Sequence, residues 1–324
     1  MANLKSLLRV AVVQFNPKIG QVQANIARVR ELCGKLEPQS VDLVCLPEMA
    51  FTGYVFDGPT SIKPYLERPH TGPTSRFCAE LALRLRCYVV AGFPEMLLPE
   101  ELSRLGKDAG EKVGANAAVI YDPEGERVGD YRKTNLFETD QSWSIPGTGF
   151  ATFPLPLPLR RLTLGICMDL NAQPPALWSV AEGPYEIAEH ARREGSGLLV
   201  LLNNWLDSGE ELEEEKDWRT MNFWAARLRP LWQKEDGSDS IGEESGSEND
   251  ESGSEDEAER KRTPVDGKRT VVVICNRTGE ENGKTFAGSS CLFDMRRGSG
   301  KPRLVDALSR TEEGVRVWNI PIDD

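Results

Sequence analysis

Short apolar runs that read as strands alternate along this chain with longer segments whose apolar residues recur every three or four positions. That alternation restricts the fold more than any other feature. Strands are expected at 9–15, 42–46, 88–92, 117–121, 162–166, 198–203, 270–276, 289–293 and 315–320, and helices at 23–36, 75–85, 183–193 and 218–232. The pattern argues for an α/β protein, with antiparallel pairs where strands follow one another without a helix between them. With 324 residues and 39% hydrophobic content, the chain can bury a sizeable core as one large domain or two smaller ones.

The formal charge of −12 comes from one place: the stretch from Glu235 to Glu259 holds twelve acids and no base. Removing those twelve from the 51 acidic residues leaves 39, equal to the 39 basic ones, so the rest of the chain is close to neutral. The stretch has too few apolar residues to offset its ordering entropy. It is expected to be a disordered loop at about 234–267 that interrupts a single domain, because periodic structure stops at Trp232 and resumes at Thr270.

Seven cysteines, an odd number with no C-x-x-C pair, suit reduced thiols in the cytosol or nucleus and no zinc site. The first apolar run, from Leu7 to Phe15, is broken by Arg9 and too short to span a bilayer, so no membrane or secretory address is expected. Neither nucleic acid nor membrane is expected among the partners, and the state is expected to be monomer or homodimer. Only His70 and His190 are present, and neither sits where it would orient against a nucleophile; both are expected at the surface. Gly279 to Thr285 superficially suits a phosphate loop, but three residues rather than four separate its glycines and a strand pattern follows. It is expected to be a polar turn that binds no nucleotide.

Three segments remain that carry chemistry: Leu-Pro-Glu48, Tyr-Arg-Lys133 and Gly-Ile-Cys167-Met-Asp169. Glu48 and Cys167 each follow a strand-like run, which would set both at the carboxyl ends of neighbouring strands. Hydrolysis of a carboxamide through a covalent intermediate needs a nucleophile, a base and a charge for the developing oxyanion. Cys167, Glu48 and Lys133 are those residue types, with no metal and no cofactor required. Singly each is weak: a cysteine ending a buried strand is usually core, and a lysine in a loop is usually solvated.

The blocks LPEMAFTGY (46–54), DYRKTNLFETD (130–140) and LGICMDL (164–170) resemble the three catalytic blocks of the nitrilase superfamily of carbon-nitrogen hydrolases. The opening RVAVVQFNPKIGQVQANI and the late NRTGEENGKTFAGSSCLFD are similar to that family's first strand and late strand-turn-strand element. The resemblance implies a four-layer α-β-β-α sandwich with Glu48 as base, Cys167 as nucleophile, and Lys133 with the backbone N–H of Met168 holding the oxyanion. Many family members carry a second glutamate in the lysine loop that positions substrate or base, for which Glu138 and Asp140 are candidates here. Asn135 stands where many branches have histidine.

Within the superfamily, KTNLFETDQSWSIPGTGF (133–150), CMDLN (167–171) and LLNNW (201–205) most resemble the fungal protein N-terminal amidases. Those enzymes convert N-terminal Asn and Gln of proteins to Asp and Glu for the N-degron pathway, so the expected partners are protein or peptide N-termini bearing Asn or Gln. A free α-ammonium calls for carboxylates at the pocket, for which Asp169, Asp140 and Glu138 are candidates. The competing reading has Asp169 only capping the turn. Asn171, Asn203, Trp205 and Trp143 are candidate pocket walls. A small-molecule ω-amidase, carbamoylase or nitrile hydrolase, or a non-catalytic scaffold, are the alternatives.

Overall fold

The protein is described here by a computed structural model covering residues 7–105, 112–210, 213–234 and 269–322. The acidic insertion expected at 234–267 lies outside the described residues from position 235 onward.

Period-two alternation writes the layers into each central strand. In β1 (Leu7–Gln14), Val10 and Val12 point into one core and Ala11 and Val13 into another. In β8 (Leu198–Asn203) and β9 (Arg269–Asn276) the same split separates Leu198, Val200, Leu202, Val271, Val273 and Cys275 from Leu199, Leu201, Val272 and Ile274. The first set of each strand meets between two sheets; the second sets pack under helices. At roughly 1.5–3 kcal/mol for each fully buried aliphatic side chain, this doubly covered pattern is what holds the layers together.

One sheet has the order β14-β1-β2-β3-β4-β5, with β2 (Leu43–Cys45), β3 (Tyr88–Met96), β4 (Gly114–Tyr121), β5 (Arg127–Arg132) and β14 (Gly314–Pro321). The other runs β13-β12-β9-β8-β7-β6, with β6 (Ala151–Pro154), β7 (Arg161–Ile166), β12 (Cys291–Arg296) and β13 (Arg303–Ala307). Each has three parallel strands, β1-β2-β3 and β7-β8-β9, flanked by antiparallel ones. Helices Val22–Leu32 and Pro73–Leu85 cover the first sheet and Glu186–Arg193 and Trp218–Arg227 the second, giving the four-layer α-β-β-α sandwich as a single domain.

In the two large sheets the strands absent from the sequence reading, β5, β6 and β13, lie at or next to the sheet edges. Their exposed positions hold Arg127, Asp130, Pro154, Arg303 and Val305, mostly polar or turn-forming residues, so the apolar pattern fades there. The last predicted helix is shorter than expected: it stops at Arg227, and Pro230 leads a 3-10 turn, Arg229–Leu231. His70 is exposed as expected, whereas His190 is half-buried with Nε2 3.1 Å from Thr152 Oγ1.

One expectation about the site needs correcting. Glu48 follows β2 and Cys167 follows β7, and these strands belong to two facing sheets rather than neighbouring positions in one. The residues meet at the carboxyl end of the seam between the sheets. Close packing fixes the Glu48 backbone there: a Cβ on Gly92 of β3 would lie 2.6 Å from Glu48 Cα and 2.8 Å from Met49 N. Backbone atoms cannot step aside cheaply, so Gly92→Ala is expected to destabilise the chain by about 1–3 kcal/mol in urea unfolding. A variant as stable as the parent would show that the strand end is loose.

Candidate active site

Lys133 follows the edge strand β5, whose pairing with β4 continues as Lys133 N–H donates to the Asn116 carbonyl at 2.8 Å. Its ammonium is fully buried and donates to Glu48 Oε1 at 2.7 Å and Asp140 Oδ2 at 2.6 Å. Asn116, the one amide in the apolar strand GANAAVIY, donates through Nδ2 to the same two carboxylates, at 2.7 Å to Glu48 Oε1 and 3.0 Å to Asp140 Oδ1. Asp140 also accepts from Phe137 N–H at 3.1 Å and from the Tyr54 hydroxyl at 3.3 Å. A lysine and an asparagine thus bridge two carboxylates that would otherwise repel.

Cys167 begins a 3-10 turn, Cys167–Leu170, directly after β7. Its φ of 45° is in the left-handed region, a strain of about 1–3 kcal/mol for a residue other than glycine. The turn is held from both sides. Cys167 N–H donates to Asn203 Oδ1 at 3.1 Å, and Asp169 reaches back to Ile166 N–H at 2.7 Å. Asn204 N–H donates to Glu48 Oε2 at 2.8 Å, so the two asparagines leaving β8 hold the carboxylate and the Cys167 backbone between them.

Burial sets the resting charges. It pushes the Cys167 thiol well above its ordinary range, and the Glu48 carboxylate adds to this while Lys133 opposes it. Burial likewise raises the Glu48 carboxyl, against the pull of Lys133. For Lys133 burial works the other way, yet Asp140 and Glu48 outweigh it and hold the ammonium charged. The resting arrangement is a neutral thiol beside a carboxyl group that sits higher than an ordinary glutamate and a cation that keeps its proton.

The remaining predicted residues divide. Asp140 joins Lys133, whereas Glu138 is exposed at the start of the helical turn Glu138–Gln141. Asn203 holds the Cys167 backbone rather than lining the pocket wall. Asn171 is buried behind the turn, with its carbonyl accepting from Asn135 Nδ2 at 2.6 Å. Met168 and Trp205 are half-buried, the latter against Phe223 with ring centres 5.5 Å apart. Trp143, expected as a wall, is fully buried with Met49, Tyr54 and Phe286 under the loops. Tyr54, Asn116 and Asn204 also belong to the site although no motif points to them; for Asn116 a lone amide in an apolar strand is the sequence signal.

Asp169 does not suit an ammonium ligand. Its oxygens already accept from Ile166 N–H at 2.7 Å, the Tyr131 hydroxyl at 2.7 Å, Thr134 N–H at 2.9 Å and Asn135 N–H at 2.8 Å. Burial raises this carboxyl to about 6 despite those donors. It staples the Cys167 turn to the lysine loop. Asp169→Asn is therefore expected to lower turnover of a peptide amide and a simple amide by the same factor; a selective loss on the peptide would restore the ammonium role.

The carbon-nitrogen hydrolase family matches residues 9–181. The chain is 29% identical over 327 residues to the protein N-terminal amidase of Schizosaccharomyces pombe, across 97% of this chain and 99% of that one. It is 28% identical over 222 residues to the protein N-terminal amidase of Saccharomyces cerevisiae, across 62% of this chain and 45% of that one. The crystal structure of an N-terminal amidase with an Asn-Glu-Ala peptide shares the fold, with a TM-score of 0.78, 21% identity and 98% of both chains covered. The match spans more than half the sequence and takes in β1, β7 and the Cys167 turn, so this chain belongs to the carbon-nitrogen hydrolase family.

Proposed function

We propose that this protein is a protein N-terminal amidase, hydrolysing the side-chain amide of N-terminal Asn and Gln through a thioester on Cys167. The observation that carries this reading is similarity to the Schizosaccharomyces pombe protein N-terminal amidase along nearly the whole of both chains. The contacts at the site give it a chemical course.

The Cys167 thiol passes its proton to Glu48, whose Oε2 accepts from Asn204 N–H alone among the described residues while Oε1 is taken by Lys133 and Asn116. The thiolate adds to the amide carbon, and the oxyanion is held by the Lys133 ammonium with the Met168 N–H. The first N–H groups of a helical turn have no partner within it, which suits Met168 to that task. Glu48 returns the proton to the nitrogen and ammonia departs. Water, deprotonated by Glu48, then attacks the thioester; the acid is released and the proton goes back to the thiol. The product is a chain beginning with Asp or Glu.

Ammonia release from Asn- and Gln-initiated peptides, against N-acetylated peptides, α-keto amides, carbamoyl amino acids and nitriles, tests the reading. Turnover restricted to free N-terminal Asn and Gln is expected; turnover of small molecules alone would overturn it. Cys167→Ser should fold and lose turnover on the order of 10³-fold or more, as removal of a nucleophile does; unchanged activity would move the nucleophile elsewhere. Because burial raises Glu48 and the base must be ionised, activity should rise with pH through a value above the ordinary glutamate range. An acid limb at the position of an exposed glutamate would contradict the base assignment.

A further inference from the structure

The polar turn around Gly279–Gly283 is a sequence motif that the reaction above leaves unused. It folds as a hairpin of β10 (Glu280–Glu281) and β11 (Lys284–Thr285), closed by Asn282 and Gly283 at φ of 47° and 75°. Two central residues at positive φ are what a tight two-residue hairpin requires, and Asn-Gly supplies them at little steric cost. The hairpin is wedged between the two loops that flank the reacting groups. On one side Asp207 N–H donates to the Thr285 carbonyl at 2.9 Å and Ala287 N–H to the Trp205 carbonyl at 2.9 Å, just beyond Asn204. On the other, Asn282 Nδ2 donates to the Val55 carbonyl at 2.9 Å.

The stronger tie on that second side is Glu281. One oxygen, Oε1, accepts from Tyr54 N–H at 2.6 Å and from Val55 N–H at 2.5 Å. The other meets Arg277 Nη1 at 2.7 Å, and both side chains are buried, at 0% and 2% exposure. Arg277 is itself fixed by the Pro17 carbonyl at 2.9 Å and by the Phe286 ring, whose centre is 4.0 Å from the guanidinium carbon. Room for the carboxylate comes from Gly53 at φ 79°, where a Cβ would lie 2.6 Å from Glu281 Oε2. A buried ion pair is a weak source of stability, because desolvation offsets its attraction. What this carboxylate does that an apolar side chain would not is hold two consecutive main-chain N–H groups at defined positions.

The residue so held is Tyr54, whose hydroxyl donates to Asp140 Oδ2 and whose ring centre is 5.7 Å from Lys133 Nζ. We propose that Glu281 is a positioning residue for the amide hydrolysis: by clamping the main chain of Tyr54 and Val55 it keeps the Tyr54 hydroxyl on Asp140, and through Asp140 it fixes the Lys133 ammonium against Glu48. The inference rests on the Glu48-Lys133-Cys167 reading and on nothing about the substrate beyond its amide. Glu281 acts through Tyr54 and touches no reacting atom.

A double-mutant cycle separates this role from simple scaffolding. One arm is Glu281→Leu with Arg277→Met, which removes both charges and the acceptor together, so that no unpaired buried charge remains. The other arm is Tyr54→Phe, which keeps the ring and removes only the hydroxyl. Each is expected to lower kcat by up to roughly 10²-fold, as small misplacements of catalytic groups do, with KM little changed. Each is also expected to move the acid limb of kcat to higher pH, since a less firmly held Lys133 opposes the burial of Glu48 less well. The combined variant should be no worse than the weaker arm, because both act on one contact.

The pH dependence of Cys167 alkylation by iodoacetamide, corrected with Cys167→Ser, supplies a readout independent of turnover and should shift in the same variants. Losses that multiply, or single arms that leave both pH profiles where the wild-type protein has them, would overturn the proposal. If Glu281→Leu/Arg277→Met does not fold, Glu281→Met/Arg277→Met takes its place, its unbranched side chain filling the same space without an acceptor; the same shift or its absence decides. Should the wild-type protein release no ammonia while the alkylation profile still shifts, the amidase reading fails and the positioning role stands.

Discussion

The buried Lys133 ammonium, gripped by Glu48 and Asp140, is the interaction around which the rest of the site is arranged. Taking an ammonium and two carboxylates out of water costs several kcal/mol per ion, repaid only if their remaining hydrogen-bonding capacity is filled. For the two carboxylates it is: Glu48 accepts from Lys133, Asn116 and Asn204 N–H, and Asp140 accepts from Lys133, Asn116, Phe137 N–H and Tyr54. The donors come from the ends or interiors of β4, β5 and β8 and from two loops. No single element can satisfy the cluster, so it exists only when both sheets have closed on each other.

That dependence explains where the chemistry sits. Parallel strands β1-β2-β3 and β7-β8-β9 each end at loops on the same side of the seam. The carboxylate arrives from one sheet and the sulfur from the other, and Asn203 and Asn204, leaving β8, touch both. The positive φ at Cys167 turns the chain sharply off β7. Backbone strain of this kind persists only where the surroundings over-determine it, and Asp169 with its four donors does that.

The layers were legible because a strand buried on both faces reads as an unbroken apolar run, a signal that β1, β8 and β9 all carry. It failed at β5, where one side faces solvent and the sequence RVGDYR has no apolar period, although this strand delivers Lys133. The three reacting residue types were legible as motifs, but their partners were not. Asn116 lies in a different strand from any motif, and Asn204 contributes a main-chain N–H, which no side-chain pattern encodes. Asp169 misled for a related reason: sequence places a carboxylate two residues from Cys167 but does not reveal that four protein donors already occupy it.

Trp143 shows how loops can hold such a site accurately. Its ring is fully buried in a separate apolar cluster with Met49, Tyr54, Phe56, Ile62, Leu66 and Phe286, all from the connections beyond the strand ends. Long loops without a core of their own would let Glu48 and Asp140 wander, and a wandering carboxylate in an apolar surrounding would draw water or a proton instead of Lys133. The cluster removes that freedom. It packs Met49, next to Glu48, against Tyr54, which contacts Asp140, so the loop core and the charged cluster share residues. Stabilisation of a developing oxyanion depends on dipoles and charges that need not reorganise during the reaction. Apolar packing beneath these loops is therefore as much a part of the electrostatics as the ions themselves.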